Sequence, residues 1–388
     1  MPGYMAGNHL TLLKNGEMYF PALLHAIDHA RHEIFLESYL FASDEIGLAV
    51  VTALIAAARR GVEVNVLLDG FGVRRFPPQW QQNLLHAGVR VLFFRPEVKA
   101  LSFNRQRLRR MHRKLAVIDH EVAYTGGINI VSDFTGQPGP EPRYDYMVAV
   151  RGPLVAEMHD AADRLWRQTA WTQLEQNWAI PSALRGPVEM AGGAAARFEV
   201  RDNFRRRHDI EHEYLTAIEA AQEEIIIACA YFLPGFRFRH ALVDAAERGV
   251  RVVLLLQGLR DHALLQTASR GFYRQFLAAG MQIHEYSAGF MHAKVAIIDS
   301  VWATVGSSNI DPFSLLLARE GNVFVQDEAF ASQLRRDVLD TLEHAARPLD
   351  PQKWLAAPWY QRAVPWLSHG VVRFLMAISG YGEKHYLK

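Results

Sequence analysis

The sequence predicts an α/β fold made of two repeats, each a mixed β-sheet flanked by helices, related by a pseudo-twofold axis. Three observations carry this. Residues 111–119 read MHRKLAVID and residues 291–299 read MHAKVAIID, close to half a chain apart. Strand-like and helix-like segments follow in the same order around both copies, the mark of an internal repeat. The apolar runs are short and β-branched, as in strands buried on both faces, and they alternate with helical segments as βαβ units do.

The elements fall in order. The first copy opens with the helix-like FPALLHAIDHAR and the second with YLTAIEAAQ. Apolar strands follow, EIFLESYLF and EEIIIACAYF. Next come the helices DEIGLAVVTALIAAARRG and RHALVDAAERG, which stop at Gly61 and Gly249. Glycine ends a helix because it takes left-handed backbone without a Cβ clash. The strands VEVNVLLDG and VRVVLLLQG follow, then NLLHAGVRVLFF and QFLAAGMQIHEY, each a helix end, a glycine and a strand. The two His-x-Lys runs come after these. Residues 1–172 are read as the first domain and 197–350 as the second. Between them, 173–196 is a linker punctuated by Pro, Gly and Ala. Residues 351–388 form an added Trp-rich tail.

Composition sets bounds. The chain has 388 residues, 50% hydrophobic and 21% charged, as a folded globular protein of two domains has. A net charge of +1 gives no global field that selects nucleic acid or membrane. The single cysteine, Cys229, rules out an intramolecular disulfide and favours a reducing compartment. The N-terminus lacks the pattern of a signal peptide, and no run approaches the ~20 apolar residues of a spanning helix. Any membrane contact is therefore expected to be peripheral.

The repeated motif has chemistry. On a strand, residues two apart share a face. His112 and Lys114 then point one way, as do His292 and Lys294. Asp119 and Asp299, the last members of the candidate catalytic sextet, have the opposite parity and take a structural role at the strand end. Seven residues on come Gly126-Gly127-Ile128-Asn129 and Gly306-Ser307-Ser308-Asn309. Gly127 and Ser307 are expected to let a ligand approach closely, and Asn129 and Asn309 to donate amide N–H to anionic oxygen. Each copy then has an acid before a further strand, Asp145 and Glu320. About a pseudo-twofold axis the copies would pool two His, two Lys and two Asn, with an acid available behind each His. That set suits a phosphodiester. Cations stabilise the pentacovalent state, one imidazole attacks phosphorus, the other protonates the leaving alkoxide, and the acids orient the rings. No metal or other cofactor is expected, since lysines beside the histidines would repel a cation.

The pattern H-x-K-x4-D-x6-G-[GS]-x-N, present twice and intact, resembles the phospholipase D superfamily. Within it, RRMHRKLAVID, YFLPGFRFRHAL and WATVGSSNIDPFSL look most like bacterial cardiolipin synthases of the B type, over nearly the whole chain. The resemblance implies a phosphohistidine intermediate with His112 as nucleophile and His292 as general acid and base. It implies a phosphatidyltransferase that joins two phosphatidylglycerols at the cytoplasmic face of the bacterial membrane. A hydrolase of phospholipid or nucleic acid is the alternative, and a catalytically idle scaffold a third reading that two intact motifs disfavour.

Other features weigh less. NRQRLRRMHRK (Arg105, Arg107, Arg109, Arg110, Arg113) and RDNFRRRHDI (Arg201, Arg205, Arg206, Arg207) are expected as exposed basic clusters that attract anionic lipid. Nucleic acid would suit these charges too, but the amphipathic tail with Trp359, Tyr360 and Trp366 argues for lipid. HDIEH, residues 208–212, spells a zinc-protease pattern but is expected to show its side chains to solvent. Trp166 and Trp171 are expected to pack and close the first copy.

Overall fold

The computed structural model describes residues 3–96, 109–136, 141–202, 206–259, 263–312, 314 and 318–356. Arg105, Arg107, Arg205 and the tail aromatics lie outside them. The first copy contributes strands β1 (Met5–Lys14), β2 (Glu33–Ser38), β3 (Glu63–Asp69), β4 (Arg90–Phe94), β5 (Leu115–Ile118), β6 (Val122–Gly126) and β7 (Tyr146–Arg151). The second contributes β8 (Ala194–Arg201), β9 (Glu224–Cys229), β10 (Arg251–Gln257), β11 (Gln282–Tyr286), β12 (Lys294–Ile298), β13 (Trp302–Gly306) and β14 (Glu320–Gln326), with β15 (Ala346–Pro348) added at the edge. All join one 15-stranded sheet in the order β15-β11-β10-β9-β12-β13-β14-β8-β1-β7-β6-β5-β2-β3-β4. Read outward from the centre, the two halves repeat the same order. They meet where β1 pairs antiparallel with β8, as a twofold axis through the sheet requires.

The central strands are what the repeat reading lacked. It opened each copy at a helix, but each opens with a strand, and β8 begins at Ala194, inside the stretch read as linker. Neither strand shows plain alternation. The β1–β8 register shifts between Met5 and Asn8, and β8 starts with three alanines, which favour strands weakly. In each half three strands are parallel (β2, β3, β4 and β9, β10, β11), while β5–β7 and β12–β14 run antiparallel to their neighbours and β15 antiparallel to β11.

Helices cover both faces. On one lie α1 (Asn15–His29), α2 (Glu45–Arg59) and α3 (Pro78–His86) of the first copy, and α5 (Asp209–Ala220), α6 (Phe236–Glu247) and α7 (Ala263–Ala278) of the second. On the other lie α4 (Leu154–Thr172) and α8 (Glu328–His344). A single core cluster runs beneath them through both copies, from Trp166 and Phe198 to Val325 and Val338. The helix limits follow local chemistry. Asp44 caps α2 by accepting the Gly47 N–H at 2.9 Å, and Asp327 caps α8 by accepting that of Phe330 at 2.8 Å. Gly61 and Gly249 both stop their helices at φ +93. Trp166 is buried and stacks on Trp178, but Trp171 is 69% exposed, because it falls on the outer side of the last turn of α4.

Asp119 and Asp299 occupy matching turns at the ends of β5 and β12, away from the histidines. Asp119 accepts the N–H groups of Arg31, His32 and Glu33 at 2.7, 2.8 and 2.9 Å. Asp299 accepts those of Gln222, Glu223 and Glu224, each at 2.8 Å. Each carboxylate thus binds the turn that leads into β2 or β9. Of the candidate catalytic sextet, these two belong to the motif but stand outside the pocket. Asp119→Ala strands three backbone donors and should cost about 2 kcal/mol of stability, with Asp299→Ala similar and the pair additive. Urea midpoints measure this; unchanged midpoints would remove the role.

Candidate active site

Each histidine is pinned by the other copy. His112 N–H donates to Arg319 O at 2.9 Å, and Arg319 N–H to Arg110 O at 2.7 Å. His292 N–H donates to Tyr144 O at 2.8 Å, and Tyr144 N–H to Phe290 O at 3.0 Å. Each exchange is a short parallel bridge that places a histidine beside the residue following the bridge partner. Those residues are Glu320 and Asp145. The sequence left the pairing of acids and histidines open; the structure crosses it. His112 Nδ1 lies 3.0 and 3.1 Å from the Glu320 carboxylate oxygens, and His292 Nδ1 lies 2.7 Å from Asp145 Oδ2. An ionised carboxylate only accepts, so Nδ1 carries the proton and Nε2 is the free lone pair. β5 starts at Leu115, so His112 and Lys114 stand in the extended segment before the strand rather than within it.

The acids are held in turn. Ser307 Oγ donates to Glu320 Oε2 at 2.5 Å and accepts Gly321 N–H at 3.0 Å. Tyr146 N–H donates to Asp145 Oδ1 at 2.8 Å, and Asp145 N–H to Asn15 Oδ1 at 3.1 Å. A Cβ at Gly127 would stand 2.2 Å from Asp145 Oδ1. Gly127 and Ser307, expected at the ligand, instead stand against the acids: one makes room, the other donates. Asn129 and Asn309 are buried; Asn129 Oδ1 accepts the Leu40 N–H at 3.1 Å, which leaves its amide NH2 as the donor end.

Burial dominates the electrostatics. It pushes both histidines below their ordinary value, His292 further than His112; Glu320 opposes the shift at His112. It lowers Lys114 to about 7, against the pull of Glu320, and lowers Lys294 as well. It raises Asp145 to about 7, with Lys294 opposing. Each lysine donates to its own motif's histidine carbonyl, Lys114 Nζ to His112 O at 2.6 Å and Lys294 Nζ to His292 O. Burial thus favours neutral imidazoles, and an anion bound beside Lys114 and Lys294 would raise the pKa of lysines and histidines alike.

Several supporting residues escaped the sequence reading. Tyr39 stacks edge-on to His112 at 5.0 Å between centroids and lies 5.5 Å from Lys114 Nζ. Asp69 accepts the Met111 N–H at 2.9 Å, while Gln257 donates to Met291 O at 3.3 Å. These two end the corresponding strands VEVNVLLDG and VRVVLLLQG, so a polar residue closing a buried strand twice was the available signal.

The basic runs are less basic at the surface than expected. Arg113 is buried and holds Glu37 through Nε and Nη2, both at 2.6 Å; Arg201 is buried and donates to Ala318 O. Arg113 also packs across the two copies. Its Cδ and Cγ would lie 3.0 and 3.1 Å from a Cβ at Gly321; at the matching position of the second motif stands Ala293, which has no such stem. In HDIEH, His208 and Glu211 are 3.5 Å apart at the start of α5 and Glu211 is buried rather than solvated. No three-residue metal cluster forms among the described residues.

Crossed pairing has a direct readout. Glu320→Gln removes the charge that supports protonation of His112 and should lower that imidazole's pKa further, leaving His292 nearly unchanged. NMR titration of the two rings decides it; a shift at His292 instead would refute the crossing.

Comparisons with known proteins agree with this architecture. The family model described as "Cardiolipin synthase, PLD-like domain" matches residues 23–166 and 214–341. Cardiolipin synthase B of Salmonella typhimurium is 36% identical over 393 residues, covering 99% of this chain and 92% of that protein. Cardiolipin synthase B of Escherichia coli K12 is 36% identical over 389 residues, covering 98% and 91%. Among solved structures, phosphatidylserine synthase of Haemophilus influenzae superposes with a TM-score of 0.69 at 13% identity, covering 98% of this chain and 95% of that one, a likeness of fold. Two intact motifs on one sheet, matched in both halves by this model and by relatives along nearly the full length, place the chain in the cardiolipin synthase family of the phospholipase D superfamily.

Proposed function

We propose that the chain is a phosphatidyltransferase that makes cardiolipin and glycerol from two phosphatidylglycerols. The observation that carries this is the convergence of two crossed His–acid pairs with Lys114 and Lys294, in a chain similar to cardiolipin synthases B over nearly its full length. His112 Nε2 attacks the phosphorus of the first lipid and the P–O bond to glycerol breaks. His292, protonated once the anionic substrate offsets its burial, gives its proton to the departing glycerol oxygen. A phosphatidyl group is then held on His112. The second lipid's headgroup hydroxyl enters, His292 takes its proton, oxygen attacks phosphorus, and the P–N bond breaks. Lys114, Lys294, Asn129 and Asn309 hold the non-bridging oxygens. Glu320 and Asp145 keep the imidazoles in the reactive tautomer. The choice of His112 as nucleophile rests on the superfamily resemblance, since the two pairs are alike in geometry.

Among the described residues no helix is long and apolar enough to cross a membrane. We place the enzyme peripherally on the cytoplasmic face of a bacterial membrane, where phosphatidylglycerol is reached from the surface. Its two parts, 1–172 and 197–350, act as one catalytic unit because each supplies the acid for the other's histidine.

Incubation with phosphatidylglycerol vesicles in EDTA, read by mass spectrometry, tests the reaction. Cardiolipin plus glycerol is expected, and its loss by a factor of about 10³ or more in His112→Ala and His292→Ala. Phosphatidic acid as the sole product would make the chain a hydrolase. A trapped phosphopeptide containing His292 rather than His112 would reverse the roles. The pH profile adds a further check. Lys114 must be charged to bind phosphate and loses its proton near pH 7 in the free enzyme. So kcat/KM should fall as pH rises through about 7, and Lys114→Arg should move that limb upward.

A further inference from the structure

One volume of the fold is packed in one half and hollow in the other. On the second-copy side, Tyr144 and Tyr146 flank Asp145 beneath α8. Their hydroxyls lie 2.6 Å apart, Tyr146 donates to Asp337, and Lys14 Nζ binds the same carboxylate at 2.8 Å. The repeat relates each of these to a residue on the other side. Tyr144 and Tyr146 flank Asp145 as Arg319 and Gly321 flank Glu320. Lys14 stands opposite Tyr146 in the sheet, and Val200 opposite Gly321. Matching the buried positions of the two helices, Met158 with Leu334, Ala162 with Val338 and Trp166 with Leu342, sets Ala161 of α4 against Asp337 of α8. A ring is replaced by Gly321, a carboxylate by Ala161 and a lysine by Val200. What the network fills on one side is, on the other, a cavity of about 620 Å³. A fold that packs this space once and leaves it open once has forgone buried contact, and a ligand can restore it.

The lining states the chemistry of that ligand. The floor is apolar: Ala161, Leu165, Phe198 and Val200. The rim carries the guanidiniums of Arg164, Arg201, Arg206 and Arg319. Three carboxylates, from Glu157, Asp160 and Asp202, oppose them. The remaining charges, Arg113 and Glu320, are already committed to Glu37 and to His112 with Ser307. Arg206 is held by Glu199 at 3.8 Å and Arg201 by the Ala318 carbonyl, so Arg164 and Arg319 are the cations placed to meet a phosphodiester monoanion, and the floor suits the carbon attached to it. Arg319 is the most pointed of these cations. Among the described residues it forms no salt bridge, and its guanidinium lies 5.7 Å from the Phe94 ring centroid. Neither histidine lines the cavity, but Glu320 does, and Arg319 O holds the His112 N–H at 2.9 Å.

We propose that this cavity is a second lipid site, which takes the phosphodiester of a further anionic phospholipid behind Glu320, apart from the site between the histidines. The inference rests on the reading of the chain as an enzyme of phosphatidylglycerol. It provides a place for a second lipid to bind while the first is at the histidines.

The test is direct binding in a full-length His112→Ala/His292→Ala protein, which removes turnover. Short-chain phosphatidylglycerol, kept below micelle formation, is titrated by calorimetry. Two sites per chain are expected, and one in the same protein carrying Ala161→Phe, which fills the cavity. One site before that change, or two after it in a protein of unchanged melting temperature, would overturn the proposal. Should Ala161→Phe fail to fold, the exposed Arg164→Ala substitution takes its place: at least fivefold weaker binding at one site is expected, and unchanged binding would overturn it. Inorganic phosphate is the control ligand, and binding as tight as that of the lipid would overturn the lipid assignment. Cardiolipin synthesis is measured separately on the unsubstituted protein, so loss of the reaction and loss of the second site are told apart.

Discussion

The crossed imidazole–carboxylate pair is the interaction on which the rest of this structure depends. Glu320 reaches from the second copy to His112, and Asp145 from the first to His292. Neither half can orient its own histidine. This requires the two copies to share one sheet, to meet at β1 and β8, and to exchange backbone hydrogen bonds at Arg319 and Tyr144. The continuous core beneath α4 and α8 is what makes that meeting rigid. An error of an ångström between halves would break both pairs at once.

The same crossing explains the electrostatics. Two lysines and two acids are buried within one site beside two half-buried histidines, and burial opposes charge on the lysines, the histidines and Asp145. It lowers Lys114 to about 7 and raises Asp145 to about 7, values that suit proton traffic near neutral pH. Lysine retained at such a depth is costly to the fold and is offset only by the acids beside it and by an anionic substrate. The small residues Gly127, Gly306 and Gly321 belong to this arrangement. Gly127 and Gly306 leave room for Asp145 and Asn322 where a Cβ would collide, and Gly321 lets the Arg113 stem pack closely.

Much of the fold is legible in the sequence. Apolar runs placed the strands around both motifs, Gly61 and Gly249 ended the predicted helices, and parity assigned Asp119 and Asp299 to the strand ends, where each carboxylate collects three backbone N–H groups. The failures have physical reasons. β1 and β8 lie where the register shifts, so their pattern does not alternate. Arg113 and Arg201 read as surface charge because their partners, Glu37 and the Ala318 carbonyl, are far away in sequence. Trp171 read as core because an aromatic residue near a helix end looks the same whichever way it turns.

The sequence by itself determined the repeat, the chemistry of the pooled residues and the family. Each of these is written in local spacing, and spacing sets which side chains share a face. Only the tertiary structure decided which acid serves which histidine, that Gly127 and Ser307 support the acids, and that one side of the duplicated core is hollow. The crossed pairs join residues more than a hundred positions apart, brought together by the packing of two halves about an axis, and the acids' supports are fixed only once those acids are in place. No local pattern records that packing. MHRKLAVID and MHAKVAIID announce two half-sites; the antiparallel meeting of β1 with β8 makes them one.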